Sequence, residues 1–231
     1  MITMSRVLDY FSTLVAEDES LPLTETALSL AQDAYPDLDL QSVLAEIDEL
    51  VLRLRRRMPD DADIRQKVGV LNRFFFRELG FASNLNDYYD PDNSHLNVVL
   101  KRRRGIPISL AVLYLEMAEQ FGVPVRGVSF PGHFLLRVTT PDGDVMLDPT
   151  TGHSLSEAQM VEMLEPYVAS AGDSVGPRAA HAATAGHASR DRRADAAQPE
   201  GDLSANRALA TSARGATAAR HSAAGQYRGS A

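Results

Sequence analysis

The sequence predicts an α+β protein in which helices come first and a small antiparallel sheet follows. Residues 24–100 repeat apolar side chains at the spacing of amphipathic helices. Residues 125–149 instead hold three short stretches rich in β-branched and aromatic residues, which is typical of strands. After Gly172 large apolar side chains almost disappear, so the last 60 residues carry too few of them to form a core.

The helical part contains three segments with recognisable ends. Thr24 is a suitable N-cap for the first helix, and Pro36 closes it. The second helix repeats apolar residues at helical spacing and stops at Pro59; they are Leu40, Val43, Leu44, Ile47, Leu50, Val51 and Leu54. The third is predicted over residues 64–79, with Gly80 as its C-cap. Its three consecutive phenylalanines cannot share one face, so we expect two in the core and one against a neighbouring segment or partner.

The second half begins with turn chemistry in residues 86–97, followed by a short helix through Leu96 and Leu100. A longer helix follows over residues 108–121, with Pro107 in its first turn. The strands are predicted at 125–130, 133–140 and 144–149, and the sequence Pro-Asp-Gly at 141–143 indicates a hairpin between the last two. A closing helix starts after Ser156, its expected N-cap.

Charge is unevenly distributed along the chain. Residues 172–231 hold 8 arginines and 5 acidic residues; of the total of 23 basic and 31 acidic residues this leaves 15 and 26, a net charge of −11, in residues 1–171. Such an acidic body argues against broad nucleic-acid binding by phosphate neutralisation. The run from Lys101 to Arg104 is basic, but we expect it to pair with carboxylates of the acidic body.

Several classes of protein are excluded or disfavoured by composition. The chain has no cysteine, which excludes disulfides, thiolate metal sites and thiol catalysis. No stretch approaches the apolar length of a membrane span, and acidic residues occupy the start where a signal peptide needs a basic flank. We therefore expect a cytoplasmic protein that does not engage a membrane.

Four motifs resemble the SirB-type invasion-regulator family: "LNDYYDPDNSHLNVVL", "RRRGIPISLAVLYLEMA", "GVSFPGHFLLRV" and "LDPTTG". The likeness covers roughly residues 5 to 168. It implies a bacterial protein with a transglutaminase-like (papain-like) core, which in that family is often followed by tetratricopeptide repeats. With the helical pattern, it divides the chain into a helical portion at 1–100, a transglutaminase-like core at 101–171 and a low-complexity tail at 172–231.

The resemblance also implies where catalytic residues would lie. Active members of the wider superfamily carry a cysteine at the start of the core helix, a histidine on the next strand and an aspartate on a later strand. His133 and Asp148 fall at the last two places, but Pro107 falls at the cysteine's place. Ser109 is the nearest hydroxyl and lies about 200° around the helix from Pro107. We therefore expect a non-catalytic domain in which His133 bonds to Asp148.

Two functions remain open on this pattern. The first is a protein-binding or regulatory scaffold, with a pocket walled by the 90–97 turn, the helix start at 105–107 and the strands that carry His133 and Asp148. The alternative is a serine-dependent amidase, esterase or acyltransferase that uses Ser109, His133 and Asp148. The residues expected to bind a protein or peptide partner come from the motifs; they are Tyr89, Asp90, Asn93, Ser94, Asn97, Arg104, Gly105 and Pro107.

No cofactor is indicated, and the spacing of histidines and aspartates matches no compact metal-ligand motif. His153 follows a glycine in a loop and is expected to be exposed. The tail at 172–231 is predicted to be disordered, because it has few large apolar residues, or to be the product of a shifted reading frame. The second interpretation rests on residues 182–205, for which synonymous codons can be chosen that encode a helical repeat segment in another frame. The oligomeric state is left open by the sequence.

Overall fold

The computed structural model describes residues 22–59 and 61–171, and the predicted tail lies outside these described residues. Six α-helices and two small sheets form this part of the chain, which confirms the α+β fold class. The helices are α1 (Leu23–Ala31), α2 (Leu40–Arg55), α3 (Ile64–Asn72), α4 (Leu96–Arg102), α5 (Pro107–Gln120) and α6 (Glu157–Ala171). The strands are β1 (Ala82–Ser83), β2 (Arg104–Gly105), β3 (Val125–Phe130), β4 (His133–Thr140), β5 (Gly143–Leu147) and β6 (Ser154–Leu155).

Strands β3 to β6 form one antiparallel sheet in sequence order. Val125 pairs with Val138 and Phe130 with His133, so a two-residue turn joins β3 to β4. Thr140 pairs with Gly143, which confirms the predicted hairpin at 141–143. Strands β1 and β2 make a separate parallel pair that the sequence did not predict, because each has only two residues.

Helix α5 lies at the centre of the core. Its residues from Ser109 to Tyr114 are buried, and it packs against α2 on one side and against β3 and β4 on the other. A helix that is apolar on nearly every side is expected to be enclosed in this way. Fully burying one leucine or methionine side chain stabilises the fold by about 1.5–3 kcal/mol, so α5 holds the helices and the sheet together.

The third predicted helix is real but changes geometry in the middle. Residues 64–72 are α-helical, and Arg73–Glu78 continue as a π-helix before Gly80 ends the segment at a φ of 72°. Phe74 and Phe75 are fully buried, while Phe76 is half-buried and stacks on Tyr114. The expectation for the three phenylalanines is thus confirmed, with the third facing a neighbouring segment.

Two helix starts test the predicted caps. Ser156 and Gln159 cap each other at the start of α6, as expected: the Gln159 amide donates to Ser156 Oγ at 3.3 Å. Thr24, by contrast, is not the cap of α1, which begins at Leu23. The Thr24 hydroxyl instead donates to Glu116 Oε2 on α5 at 2.6 Å, so this residue joins two helices.

No helix within residues 22–59 and 61–171 has both the length and the apolar character that crossing a bilayer requires.

Candidate functional site

The start of helix α5 is the place where the superfamily would carry its nucleophile. Pro107 is the first helical residue, as predicted, and it follows Ile106 in an extended conformation. Ser109 lies in the first turn and is only 3% exposed. Its Oγ donates to the carbonyl of Asn93 at 2.6 Å and accepts from the amide of Ile106 at 3.1 Å. The hydroxyl therefore joins the helix start to the preceding turn.

Asn93 organises that turn from the inside. It is 2% exposed, and its side-chain amide donates to the carbonyls of Asp87 and Tyr88 at 2.7 and 3.1 Å. Its Oδ1 accepts from the amide of Asn84 at 2.9 Å, and its own carbonyl accepts from Ile106 as well as from Ser109. The side-chain amide, the side-chain oxygen and the backbone carbonyl of Asn93 all bond to other residues of the domain. Asn93 is therefore a structural residue.

The turn is also fixed by charge. Asp90 Oδ1 caps the short 3₁₀ helix Pro91–Ser94 by accepting from the amide of Asp92. Arg102 donates to Asp90 at 3.0 Å and to Asp92 at 3.2 Å, which confirms that the basic run pairs with the acidic body. Charged hydrogen bonds of this kind restrict a turn even when exposed pairs contribute little to global stability.

The loop that this turn supports exposes apolar side chains. Leu85 is 83% exposed and Tyr89 92%, while Tyr88 is 48% exposed and meets the Tyr89 ring edge to face. Single exposed apolar residues are ordinary, but two tyrosines and a leucine on one anchored loop are typical of contact surfaces. Of the predicted binding residues, Tyr89 and Arg104 are exposed, and Tyr89 is the one that lies on this loop.

The other predicted binding residues lie beneath or beside this loop. Asn97 is buried, and its Oδ1 has no hydrogen-bond partner within the part of the chain that the structure describes. Gly105 belongs to β2, and a Cβ on it would lie 2.6 Å from Ser109 Oγ, so only glycine fits. Arg104 donates to the carbonyls of Gly80 and Arg103 at 2.6 and 2.8 Å. Ser94 ends the 3₁₀ helix and is half-buried.

His133 and Asp148 occupy the expected places but do not bond to each other. His133 opens β4 next to a tight turn, is exposed, and contacts the ring of Phe130 with centroids 6.4 Å apart. Both oxygens of Asp148 accept from its own loop: Oδ1 from the amide and hydroxyl of Thr150, and Oδ2 from the hydroxyl of Thr151. The expected bond from His133 to Asp148 is therefore not formed, because the loop after β5 takes up the carboxylate.

Neither of these side chains hydrogen-bonds to Ser109 within the described residues. The hydroxyl proton of Ser109 has two backbone acceptors, the carbonyls of Asn93 and Ile106. A serine nucleophile needs a base in hydrogen-bond reach to take that proton. The three residues of the alternative triad thus have separate hydrogen-bond partners.

A cavity of about 540 Å³ opens elsewhere, between the π-helix and the loop at 148–153. Its walls include Asn72, Arg73, Phe76, Arg77, Thr151 and His153, and none of the predicted site residues lines it. His153 is exposed, as the sequence indicated. The sequence did not indicate that the loop before it bonds to Asn72, eighty positions earlier, through the carbonyl of Gly152. Within the described residues, no group of three histidine, aspartate or glutamate side chains is arranged to hold a metal ion.

A core helix packed on an antiparallel sheet, with a histidine opening the next strand and an aspartate following a later one, defines a transglutaminase-like domain. The chain belongs to the transglutaminase-like superfamily, whose profile matches residues 41–189. This match begins inside the predicted helical portion (1–100) and ends inside the predicted tail (172–231). The domain boundaries at residues 100 and 171 therefore stay predictions.

Relatives of this chain occur in bacteria and mammals. A UPF0162 protein of Xylella fastidiosa is 42% identical over 158 residues, which cover 68% of this chain and 56% of that protein. UPF0162 protein PA3419 of Pseudomonas aeruginosa is 38% identical over 143 residues, covering 62% of this chain and 52% of that protein. Human F-box only protein 21 is 47% identical over 135 residues, covering 49% and 22% respectively.

The chain thus spans about half the length of the UPF0162 relatives it matches. No solved structure matches it significantly.

Proposed function

We propose that this domain is a non-catalytic, cytoplasmic scaffold that binds a protein or peptide partner and acts in regulation. The observation that carries the proposal is the shared role of Ser109 and Asn93. Ser109 holds the backbone of Asn93, and the side chain of Asn93 holds the loop that exposes Tyr88 and Tyr89. The helix start that would bear a nucleophile is used here to support a contact loop.

The loop has the properties that favour binding to a protein. Exposed tyrosines supply a large contact area with few rotatable bonds, and they are enriched among the residues that dominate interface energies. The loop backbone is already fixed by the hydrogen bonds from Asn93, so binding loses less conformational entropy than ordering a mobile loop would. The exposed carboxylate of Asp87 lies in the same loop and would favour a partner with a cationic rim.

The comparisons support a binding module that combines with other segments. A matching segment makes up about half of each UPF0162 relative and 22% of human F-box only protein 21. We propose that this chain is of the SirB type, in which tetratricopeptide repeats often follow the domain. The length of the UPF0162 relatives leaves room for such repeats.

A site-specific photocrosslinker tests the contact loop. It is placed at Tyr89 and, as a matched control, at the exposed Val145 on the sheet, and crosslinking is carried out in cells. We expect a protein adduct that forms from position 89 and not from position 145. The purified adduct protein is then titrated with the wild-type chain and with Tyr89→Ser.

Loss of a dominant interface tyrosine weakens binding by about 30-fold or more. Val161→Ser, on the exposed face of α6, should leave the affinity unchanged. Equal adducts from positions 89 and 145, or equal affinities of the wild type and Tyr89→Ser, would contradict the proposed contact loop.

A further inference from the structure

The cavity beside the π-helix has an unusual source of positive charge. Arg73 and Arg77 both line it, and both stand on the π-helical segment 73–78. Short π-helical turns are uncommon and occur frequently at functional sites, because the extra residue in the turn redirects side chains. Residues four apart lie on one face of a helix, so Arg73 and Arg77 both reach this cavity while Phe74 and Phe75, between them, remain in the core.

The opposite wall of the cavity is held in place by buried groups. The hydroxyl of Tyr114, inside the core, donates to Asn72 Oδ1 at 2.7 Å, and Asn72 Nδ2 donates to the carbonyl of Gly152 at 3.2 Å. Gly152 has a φ of 71°, and a Cβ there would lie 2.4 Å from Phe76 Cε2. The loop at 148–153 therefore approaches the π-helix as closely as glycine allows, and the cavity is preformed.

The lining is cationic although the body of the protein is acidic. Arg73, Arg77 and His153 supply side-chain nitrogens, and no carboxylate lines the cavity. The hydroxyls of Thr150 and Thr151, also in the lining, donate to Asp148 behind the wall, so they are not free to donate into the cavity.

Several other arginines of the described residues have acidic partners, as Arg57 has with Glu78 and Arg65 with Asp142. Within the same residues, Arg73 and Arg77 have no hydrogen-bond or ion-pair partner. Their guanidinium groups are therefore available to an anion.

We infer that this cavity binds a small phosphorylated molecule, with its phosphoryl group between Arg73 and Arg77. A guanidinium donates two parallel hydrogen bonds to a phosphoryl group, and two guanidiniums with an imidazole can engage all three terminal oxygens. The half-buried ring of Phe76 gives an apolar wall for the rest of the ligand. A volume of about 540 Å³ lies in the range of small-molecule sites and is too small for a folded partner.

Calorimetric titration with phenyl phosphate, in a buffer without phosphate, tests the inference. The wild-type chain is compared with Arg73→Gln, Arg77→Gln and Arg56→Gln. Arg56 is an exposed arginine just after α2 that does not line the cavity, so its substitution removes the same charge without changing the lining. Circular dichroism verifies that all three variants fold.

We expect saturable binding of one phenyl phosphate per wild-type chain. Loss of a hydrogen-bonded charged group should weaken it by about 10- to 100-fold in Arg73→Gln and in Arg77→Gln, while Arg56→Gln keeps the wild-type affinity. Phenol, which lacks the phosphoryl group, should not bind.

Three results would overturn the inference. They are no saturation with phenyl phosphate, the same affinity in the cavity variants as in Arg56→Gln, and binding of phenol as tight as that of phenyl phosphate. A phosphoserine peptide that saturates while phenyl phosphate does not would assign the arginines to a macromolecular ligand instead.

Discussion

Replacing Ser109 by alanine separates a structural hydroxyl from a catalytic one. The hydroxyl is buried, donates to the Asn93 carbonyl at 2.6 Å and accepts from the Ile106 amide at 3.1 Å. Those two backbone groups also bond to each other at 3.3 Å, so alanine weakens their pairing without leaving either group alone. Loss of a helix-start hydroxyl and of one buried hydrogen bond lowers the free energy of unfolding by about 2 kcal/mol.

Urea unfolding followed by circular dichroism measures this change. In a thermal melt, the same loss of about 2 kcal/mol corresponds to a decrease in Tm of about 4–8 °C for a domain of this size. Ser129→Ala is the matched control, because Ser129 is exposed on β3 and its loss should change stability by less than about 0.5 kcal/mol. Removal of a catalytic serine is often neutral or stabilising, because active sites trade stability for function. If Ser109→Ala is as stable as the wild type, the hydroxyl is not the structural link described above.

Four further outcomes follow from the same contacts. Asn93→Ala should lower the free energy of unfolding by about 1–3 kcal/mol. It should also speed hydrogen exchange at residues 87–89, because the carbonyls of Asp87 and Tyr88 lose their donor; unchanged exchange would refute its anchoring role. Gly69→Ala should stabilise α3 by about 0.5–1 kcal/mol, because a Cβ there meets nothing within 4 Å, whereas Gly152→Ala should destabilise the chain because its φ is positive and Phe76 is in the way; urea midpoints distinguish the two. Burial raises the pKa of Tyr114 above its ordinary value of 10.0. Above about pH 10 the unfolded state therefore releases this proton first, and the free energy of unfolding falls as pH rises. Tyr114→Phe should flatten that fall, and an equal slope in both chains would argue against the raised pKa. A fluorophosphonate probe should leave Ser109 unlabelled, and labelling lost in His133→Ala would instead support the serine-dependent alternative.

Much of the fold follows from local patterns. The apolar repeat that ends before Pro59 became α2, the Pro-Asp-Gly turn became a hairpin, and Ser156 became an N-cap, because each depends on residues close in sequence. Thr24 shows the limit of such reasoning. Its side chain is a good cap by type, but Glu116 from a distant helix offers it a stronger, charged acceptor.

The site was less predictable for the same physical reason. The motifs correctly indicated that the 90–97 turn meets the start of α5, but not that Asn93 points inward or that the loop before it exposes Leu85 and Tyr89. The pairing of Asp148 with its own loop depends on two threonine rotamers that no spacing rule encodes. The sequence does not predict the cationic cavity, because a π-helix has no sequence signature comparable to the α-helical repeat.

That six-residue change of helical geometry makes the segment unusually sensitive to chain length. Deleting one of the three phenylalanines at 74–76 would let the segment relax to ordinary i→i+4 bonding. The two arginines would then be three residues apart and would still share a helix face, while one ring that now fills the core or walls the cavity would be missing. A one-residue gap at this position is therefore a marker in related genomes: homologues that carry it should keep both arginines on one face and differ in the packing around them.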